Sequence, residues 1–178
     1  MPTVARIAED AGIAALTIHG RTRADKYRGD AEFETIAKVK QSVSIPVIAN
    51  GDIATFEKSL EVWKLTQADG LMIGRGAQGR PWIFAELNAA LRTQSTFLPL
   101  EKNELRDIML GHLSDLHRFY GETTGVRVAR KHLTWYCENL ANAEEYRNRV
   151  VRVDKASEQI ALTAEYFDRK DGGIARAA

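Results

Sequence analysis

Ile45-Pro46-Val47-Ile48-Ala49-Asn50-Gly51-Asp52 is the stretch whose reading decides the fold. Ile45 to Ala49 is short, β-branched and uncharged, with no apolar/polar alternation, the pattern of a strand buried on both faces. It empties into a glycine turn, where backbone N–H groups can approach an anion with no side chain in the way. A second apolar run, Leu71-Met72-Ile73, opens in the same manner into Gly74-Arg75-Gly76. An earlier one, Leu16-Thr17-Ile18, leads through His19 and Gly20 to Arg21. Successive strand starts lie about 25 to 30 residues apart, the length of a βα unit.

Helical periodicity fills the gaps. Residues 3–11 carry Val4, Ile7, Ala8 and Ala11 on one stripe, with Gly12 as the stop. No strand precedes this helix, so the chain opens as if midway through a repeat. Residues 31–43 carry Phe33, Ile36, Ala37, Val39 and Val43. Thr55 is a candidate N-cap for a third helix holding Phe56, Leu60, Val62, Trp63 and Leu65, with Glu57 favourable in its first turn. Alternating strands and helices predict a parallel sheet covered by helices. Three units cannot close a barrel of eight strands, and as an open sheet they would leave apolar edges unpaired.

Gly79-Arg80-Pro81-Trp82 marks a boundary, with Pro81 suited to the first position of a helix whose buried face is Ile83, Phe84, Leu87 and Leu91. Beyond residue 101 nothing reads as a strand. Residues 101–120 place Leu105, Ile108, Met109, Leu113, Leu116 and Phe119 at helical spacing up to Gly121. Further helices are expected over 125–140, 144–153 and 156–169, forming an antiparallel bundle.

Totals narrow the function classes. A net charge of +1 over 178 residues gives no global field for nucleic acid, so any such contact must be local. The single cysteine, Cys137, excludes an internal disulfide framework and fits a reducing compartment. No apolar run reaches the roughly 20 residues of a membrane span, and no signal peptide opens the chain, so a cytoplasmic location is expected. No HExxH, CxxC or carboxylate cluster points to a metal, and His112 and His117 share a helix face poorly.

Candidate chemistry gathers at the strand ends. Asn50, Gly51 and Asp52 leave one strand where α/β enzymes place their sites, and Gly74 and Arg75 leave the next at the equivalent point. Arg75 offers a fork of donors to a phosphate; two ordinary turns with a solvated arginine fit the same spacing. His19 is a candidate donor to a cofactor or polarised carbonyl, or a structural histidine. Arg21, Arg23, Lys26 and Arg28 make a basic rim or a solvated loop. In the bundle, Arg127, Arg130 and Lys131 share a helix face, with His132 near and Arg147, Arg149 and Arg152 on the next helix. That is a phosphate-backbone patch or a charged solvent face. Trp135 and Tyr136 read as core or interface residues.

Taken together, Leu16-Thr17-Ile18-His19-Gly20-Arg21-Thr22-Arg23, Ile45 to Ile53, Met72 to Trp82 and Arg127-Val128-Ala129-Arg130-Lys131-His132 resemble the bacterial tRNA-dihydrouridine synthases, B subgroup, over about Val4 to Phe167. The resemblance implies an α/β fold: a partial (β/α)8 TIM barrel, three C-terminal βα units, followed by an all-α helical bundle domain. It places the C-terminal part of an FMN-binding barrel at 1–93, a linker at 94–100, a helical tRNA-binding domain at 101–170 and a disordered tail at 171–178. It implies an oxidoreductase with FMN as cofactor and NADPH as reductant, turning a flipped uridine of tRNA into 5,6-dihydrouridine. His19, Asn50, Gly51, Asp52, Gly74 and Arg75 match cofactor positions; Arg21, Arg23, Arg127, Arg130 and Lys131 would face tRNA. The family's Asn-x-Gly-Cys-Pro segment, whose cysteine protonates the uracil ring, is absent, as is its flavin-contacting lysine. The resemblance therefore implies no catalytic residue in this chain, no metal, and the missing N-terminal barrel half as a candidate partner. Two other readings stay open, a non-catalytic RNA-binding module and a different flavin or phosphate barrel acting on a small molecule.

Overall fold

A computed structural model describes residues 1–26, 28–89 and 100–173. Among these, three strands and eight α-helices fall into two compact units. Met1–Ala77 with the stretch from Trp82 forms the first; Gln78–Pro81 with the chain from residue 100 onward forms the second.

In the first unit β1 (Leu16–His19), β2 (Val47–Asn50) and β3 (Gly70–Met72) make a parallel sheet in that order. The register sets His19 beside Asn50 and Asn50 beside Met72, so all three strands end level. β2 starts after Pro46, which has no N–H to give a ladder. Asp69 carries the pairing one step further back: its N–H bonds Val47 O at 2.9 Å and its Oδ2 accepts from Val47 N at 2.8 Å. Lys40 Nζ, 2.6 Å from that oxygen, and these bonds keep the Asp69 carboxyl below its ordinary range.

One face of the sheet is packed and the other is not. Leu16, Ile18, Val47, Ala49 and Leu71 point to the side of α1 (Pro2–Asp10), α2 (Glu34–Lys40) and α3 (Phe56–Thr66), building a core with Ala5, Phe33, Ile36, Val39, Ile53 and Val62. The opposite face carries Thr17, His19, Ile48, Asn50 and Met72, none of them buried. The expected helical cover of the sheet is therefore found on one face among the described residues. Several expected core side chains are also outward: Val4 and Ile7 on α1, and Trp63 and Leu65 on α3.

Local chemistry sets the helix limits. Thr55 Oγ1 accepts from Lys58 N at 3.2 Å, the predicted N-cap, and Gln67 closes α3 in the left-handed region. α2 begins at Glu34 rather than at 31, and the N–H groups just ahead of it bond outside the helix. Ala31 N–H bonds the Asp52 carboxylate, and Glu32 N–H bonds Gly20 O. α4 (Ile83–Asn88) buries Ile83 and Leu87 but exposes Phe84, against expectation. The expected continuation through Leu91 and the 94–100 linker lie outside the described residues, apart from Leu100.

In the second unit α5 (Lys102–Tyr120) packs on α6 (Glu122–Cys137) and α8 (Ala156–Asp168), and α7 (Glu144–Val150) packs on both α6 and α8. A capping box between Glu101 and Glu104 opens α5. α6 starts at Glu122, three residues before the expected Gly125. Gly125 lies inside the helix because a Cβ there would sit 2.8 Å from His117 Cα; it is a helix-packing glycine, not a helix start. The core contains Leu105, Met109, Leu113, Leu133 and Val150, whereas Phe119, predicted inward, is 80% exposed. Polar groups are buried here too. Gln159, fully buried, joins His117 Nε2 at 2.9 Å to Val126 O at 3.1 Å, and the Tyr146 and Thr163 hydroxyls meet at 2.8 Å.

Gln78–Pro81, inside the expected 1–93 region, groups with these helices. Gly79 has φ +69 and would place a Cβ 2.2 Å from Trp135 O, so only glycine fits against the α6 backbone. Of the expected tail at 171–178, Gly173 is buried and accepts from Ala141 N at 2.9 Å; residues 174–178 lie outside the described residues.

Candidate functional site

The level strand ends put Gly20, Gly51 and, beyond Ile73, Gly74 at one end of the sheet. Cross-bonds hold that edge. Gly20 N–H bonds Asn50 O at 2.8 Å, and the Asn50 carboxamide donates from Nδ2 to Met72 O at 2.7 Å. Asn50 thus ties its own strand to β3 and keeps Oδ1 as an acceptor. His19 Nδ1 accepts from Arg21 N at 3.2 Å, which in the neutral ring puts the proton on Nε2. His19 is solvent-exposed, so that Nε2–H is an available donor.

The charged centre is Asp52. Arg21 grips it with both terminal nitrogens, Nη1 to Oδ1 at 2.9 Å and Nη2 to Oδ2. Arg75 Nη2 reaches Oδ1 at 3.1 Å and Ala31 N–H reaches Oδ2 at 3.0 Å. Arg21's hydrogen bonds hold the Asp52 carboxyl below its ordinary range, outweighing desolvation, with help from Ala31 N–H and the Arg75 charge. The same bond raises the Arg21 guanidinium. Two cations share this carboxylate, and Asp25 and Asp30 also act on Arg21.

The two arginines differ in access. The Arg21 side chain is 6% exposed; it also bonds Gly29 O, and Arg28 O at 3.4 Å. The Arg75 side chain, in a short 3-10 turn at Arg75–Ala77, is 59% exposed. The two glycines differ as well. Gly51, at φ +139, would press a Cβ to 2.8 Å from the Ala31 methyl, so its missing side chain makes room for packing. A Cβ on Gly74 would meet nothing within 4 Å, so open space adjoins that backbone. Arg75 and Gly74 therefore form the part that can take an anion, with Arg21, Asp52 and Gly51 behind them. The fit to a phosphate monoester rests on an exposed guanidinium and an open glycine. Sequence reasoning missed Ala31 and the Arg28 and Gly29 carbonyls, whose partners come from distant segments.

Arg23 and Lys26 are exposed on the loop after β1, where Thr22 and Asp25 close a turn through Asp25 Oδ2. In the second unit Arg127 and Lys131 are exposed on α6, and Lys131 Nζ lies 4.8 Å from the centroid of the Trp135 ring. Arg130 turns away from them, donating to Val153 O at 3.0 Å and Asp154 Oδ1 at 2.6 Å. Arg149 is taken by Glu165 through two bonds of 2.8 and 3.2 Å. Cys137 is only partly accessible, and burial pushes its thiol up to about 11. Among the described residues no three His, Cys, Asp or Glu converge as a metal site, and no helix is long and apolar enough to cross a membrane.

The family profile described as Dihydrouridine synthase (Dus) matches residues 2–170. A protein of Pseudomonas syringae pv. tomato named tRNA-dihydrouridine synthase B is 53% identical over 167 residues, covering 94% of this chain and 50% of the relative. Proteins of the same name from Xanthomonas axonopodis pv. citri and Pseudomonas aeruginosa are 50% and 51% identical over 97% and 99% of the chain, covering 52% and 53% of each relative. The chain thus spans about half the length of the curated relatives it matches.

Proposed function

The chain belongs to the dihydrouridine synthase family, and from that premise we propose that it forms part of an enzyme reducing uridine to 5,6-dihydrouridine in tRNA. The strands are read as the last three of a (β/α)8 barrel, residues 1–93, joined through 94–100 to a tRNA-binding bundle at 101–170. The observation that carries the reading is the level ending of β1, β2 and β3, which brings Gly74 and Arg75 to the same end as Asn50 and His19. The uncovered sheet face, with Thr17, His19, Ile48 and Asn50 on it, is what a barrel interior would use.

FMN, when bound, supplies the hydride for the uracil ring and is itself recharged by NADPH. This chain's residues serve its phosphate end. Arg75 and the open backbone at Gly74 receive the phosphate; Asn50 Oδ1 accepts, and His19 Nε2–H donates, next to it. On the bundle, exposed Arg127 and Lys131 are the cations for the tRNA backbone, with Arg23 of the β1 loop as a further contact.

The family's Asn-x-Gly-Cys-Pro segment, whose cysteine protonates the uracil ring, is absent from the sequence. The single thiol, Cys137, holds its proton tightly in a half-buried position on α6. We therefore expect purified residues 1–178, supplied with FMN, NADPH and tRNA lacking dihydrouridine, to form none, as measured by nucleoside mass spectrometry. Adding the preceding half of a relative such as the P. syringae protein restores turnover. Turnover by residues 1–178 alone overturns the assignment of the proton donor. A non-catalytic RNA-binding role predicts salt-dependent tRNA binding with no turnover under either condition.

A further inference from the structure

Asp52 falls on a position that would be assigned to the cofactor, but its bonds point elsewhere. Both carboxylate oxygens are engaged inside the chain: Oδ1 by Arg21 and Arg75, Oδ2 by Arg21 and Ala31 N–H. Arg21 in turn reaches the carbonyls of Arg28 and Gly29. The segment from Arg21 to Ala31 leaves β1 and returns to one point, and that point lies 21 residues beyond it in sequence, on the turn after β2. The Arg21 side chain is 6% exposed, so its charge is shielded from water; the Arg75 side chain is 59% exposed and reaches Asp52 Oδ1 through Nη2.

From this asymmetry we infer that Asp52 is a positioning residue: through Arg21 and Ala31 it latches the loop at 21–31 onto the strand ends, and through its outer oxygen it aims Arg75 at the anion site. An arriving phosphate draws Arg75 off Asp52 while the Arg21 and Ala31 bonds stay made, so the carboxylate remains neutralised and does not repel the ligand. Removing Arg21 has the opposite result, because Asp52 is then left with Arg75 as its cation and holds it back from the phosphate. Loop closure and anion affinity thus depend on one carboxylate that itself touches no ligand. The second half rests on the phosphate-site reading; the first does not.

The test compares the unaltered chain with Asp52→Asn, Arg21→Met, the double variant and Arg75→Ala, each checked for native far-UV circular dichroism. Without ligand, limited trypsin cleavage after Arg23, Lys26 and Arg28, mapped by mass, accelerates about tenfold in Asp52→Asn and Arg21→Met and no further in the double variant. Arg75→Ala leaves it unchanged. Modification of Arg75 by phenylglyoxal, followed by peptide mass, speeds up in Asp52→Asn. With ligand, the ratio of FMN to riboflavin affinity falls about tenfold in Asp52→Asn and Arg21→Met, and the two losses do not add. A merely structural role would lower both affinities together and leave the ratio alone. Unaltered trypsin cleavage and unaltered Arg75 reactivity in Asp52→Asn overturn the proposal; additive losses in the FMN ratio make Asp52 a direct ligand and overturn it as well. If the unaltered chain shows no preference for FMN over riboflavin, the phosphate-site reading fails, while the cleavage and modification rates still decide the latch.

Discussion

The two units place their polar groups in opposite ways. In the sheet unit the core is apolar apart from Ser59 and Thr66 on α3, and the charged groups sit at the strand ends within reach of water. In the helical unit polar groups sit within an otherwise apolar interior: Gln159, Thr163, Tyr146 and Tyr166 are buried and bonded to one another, to His117 or to backbone. A buried, internally bonded network such as Gln159 with His117 and Val126 O fixes one packing arrangement. A half-exposed one such as Arg75 with Asp52 can exchange partners. On this contrast, function should be lost without stability in the first unit, and stability without function in the second.

The sharpest way to break the contrast is a pair of glycines. Gly79→Ala forces a methyl into the Trp135 carbonyl at a positive φ and should cost about 3 kcal/mol or more in urea denaturation. Gly74→Ala, facing open space, should stay within about 0.5 kcal/mol of the parent while weakening FMN binding. Equal stability losses would end the distinction. Next in size is Gln159→Leu, which strands His117 Nε2 in the bundle interior and removes the side-chain bond to Val126 O, and should cost about 1–3 kcal/mol in the same assay. The smallest effect is on the surface of α6. Arg127→Ala should leave the melting curve unchanged and lower the salt slope of tRNA binding by about one counterion. Arg130→Ala, which releases Val153 O and Asp154, should shift the melting curve as well.

Much of this was legible before any coordinates. The three strands, their exit residues, the Thr55 cap and the helical second half follow from periodicity and turn chemistry, which act over a few residues. What could not be read was the pairing of groups far apart in sequence. Arg21 looks like one more cation of a basic loop until Asp52, 31 residues on, is seen against it. Arg130 looks like a neighbour of Arg127 until Asp154, 24 residues on, is seen to hold it. The bonds of Ala31 N–H to Asp52 and of Glu32 N–H to Gly20 O, just ahead of α2, are of the same long-range kind. Phe119 and Phe84 show the limit of the apolar stripe: spacing says which side chains line up, not which of them another element covers.

The level register of the strands constrains how such a chain can change length over time. Side chains alternate across a strand, so one residue gained or lost within Val47–Asn50 would turn Val47 and Ala49 out of the core and swing Asn50 away from Met72 O. Insertions and deletions are therefore barred from the strands, and they have room only in stretches such as the exposed part of the loop after β1, where no ladder has to be kept in step.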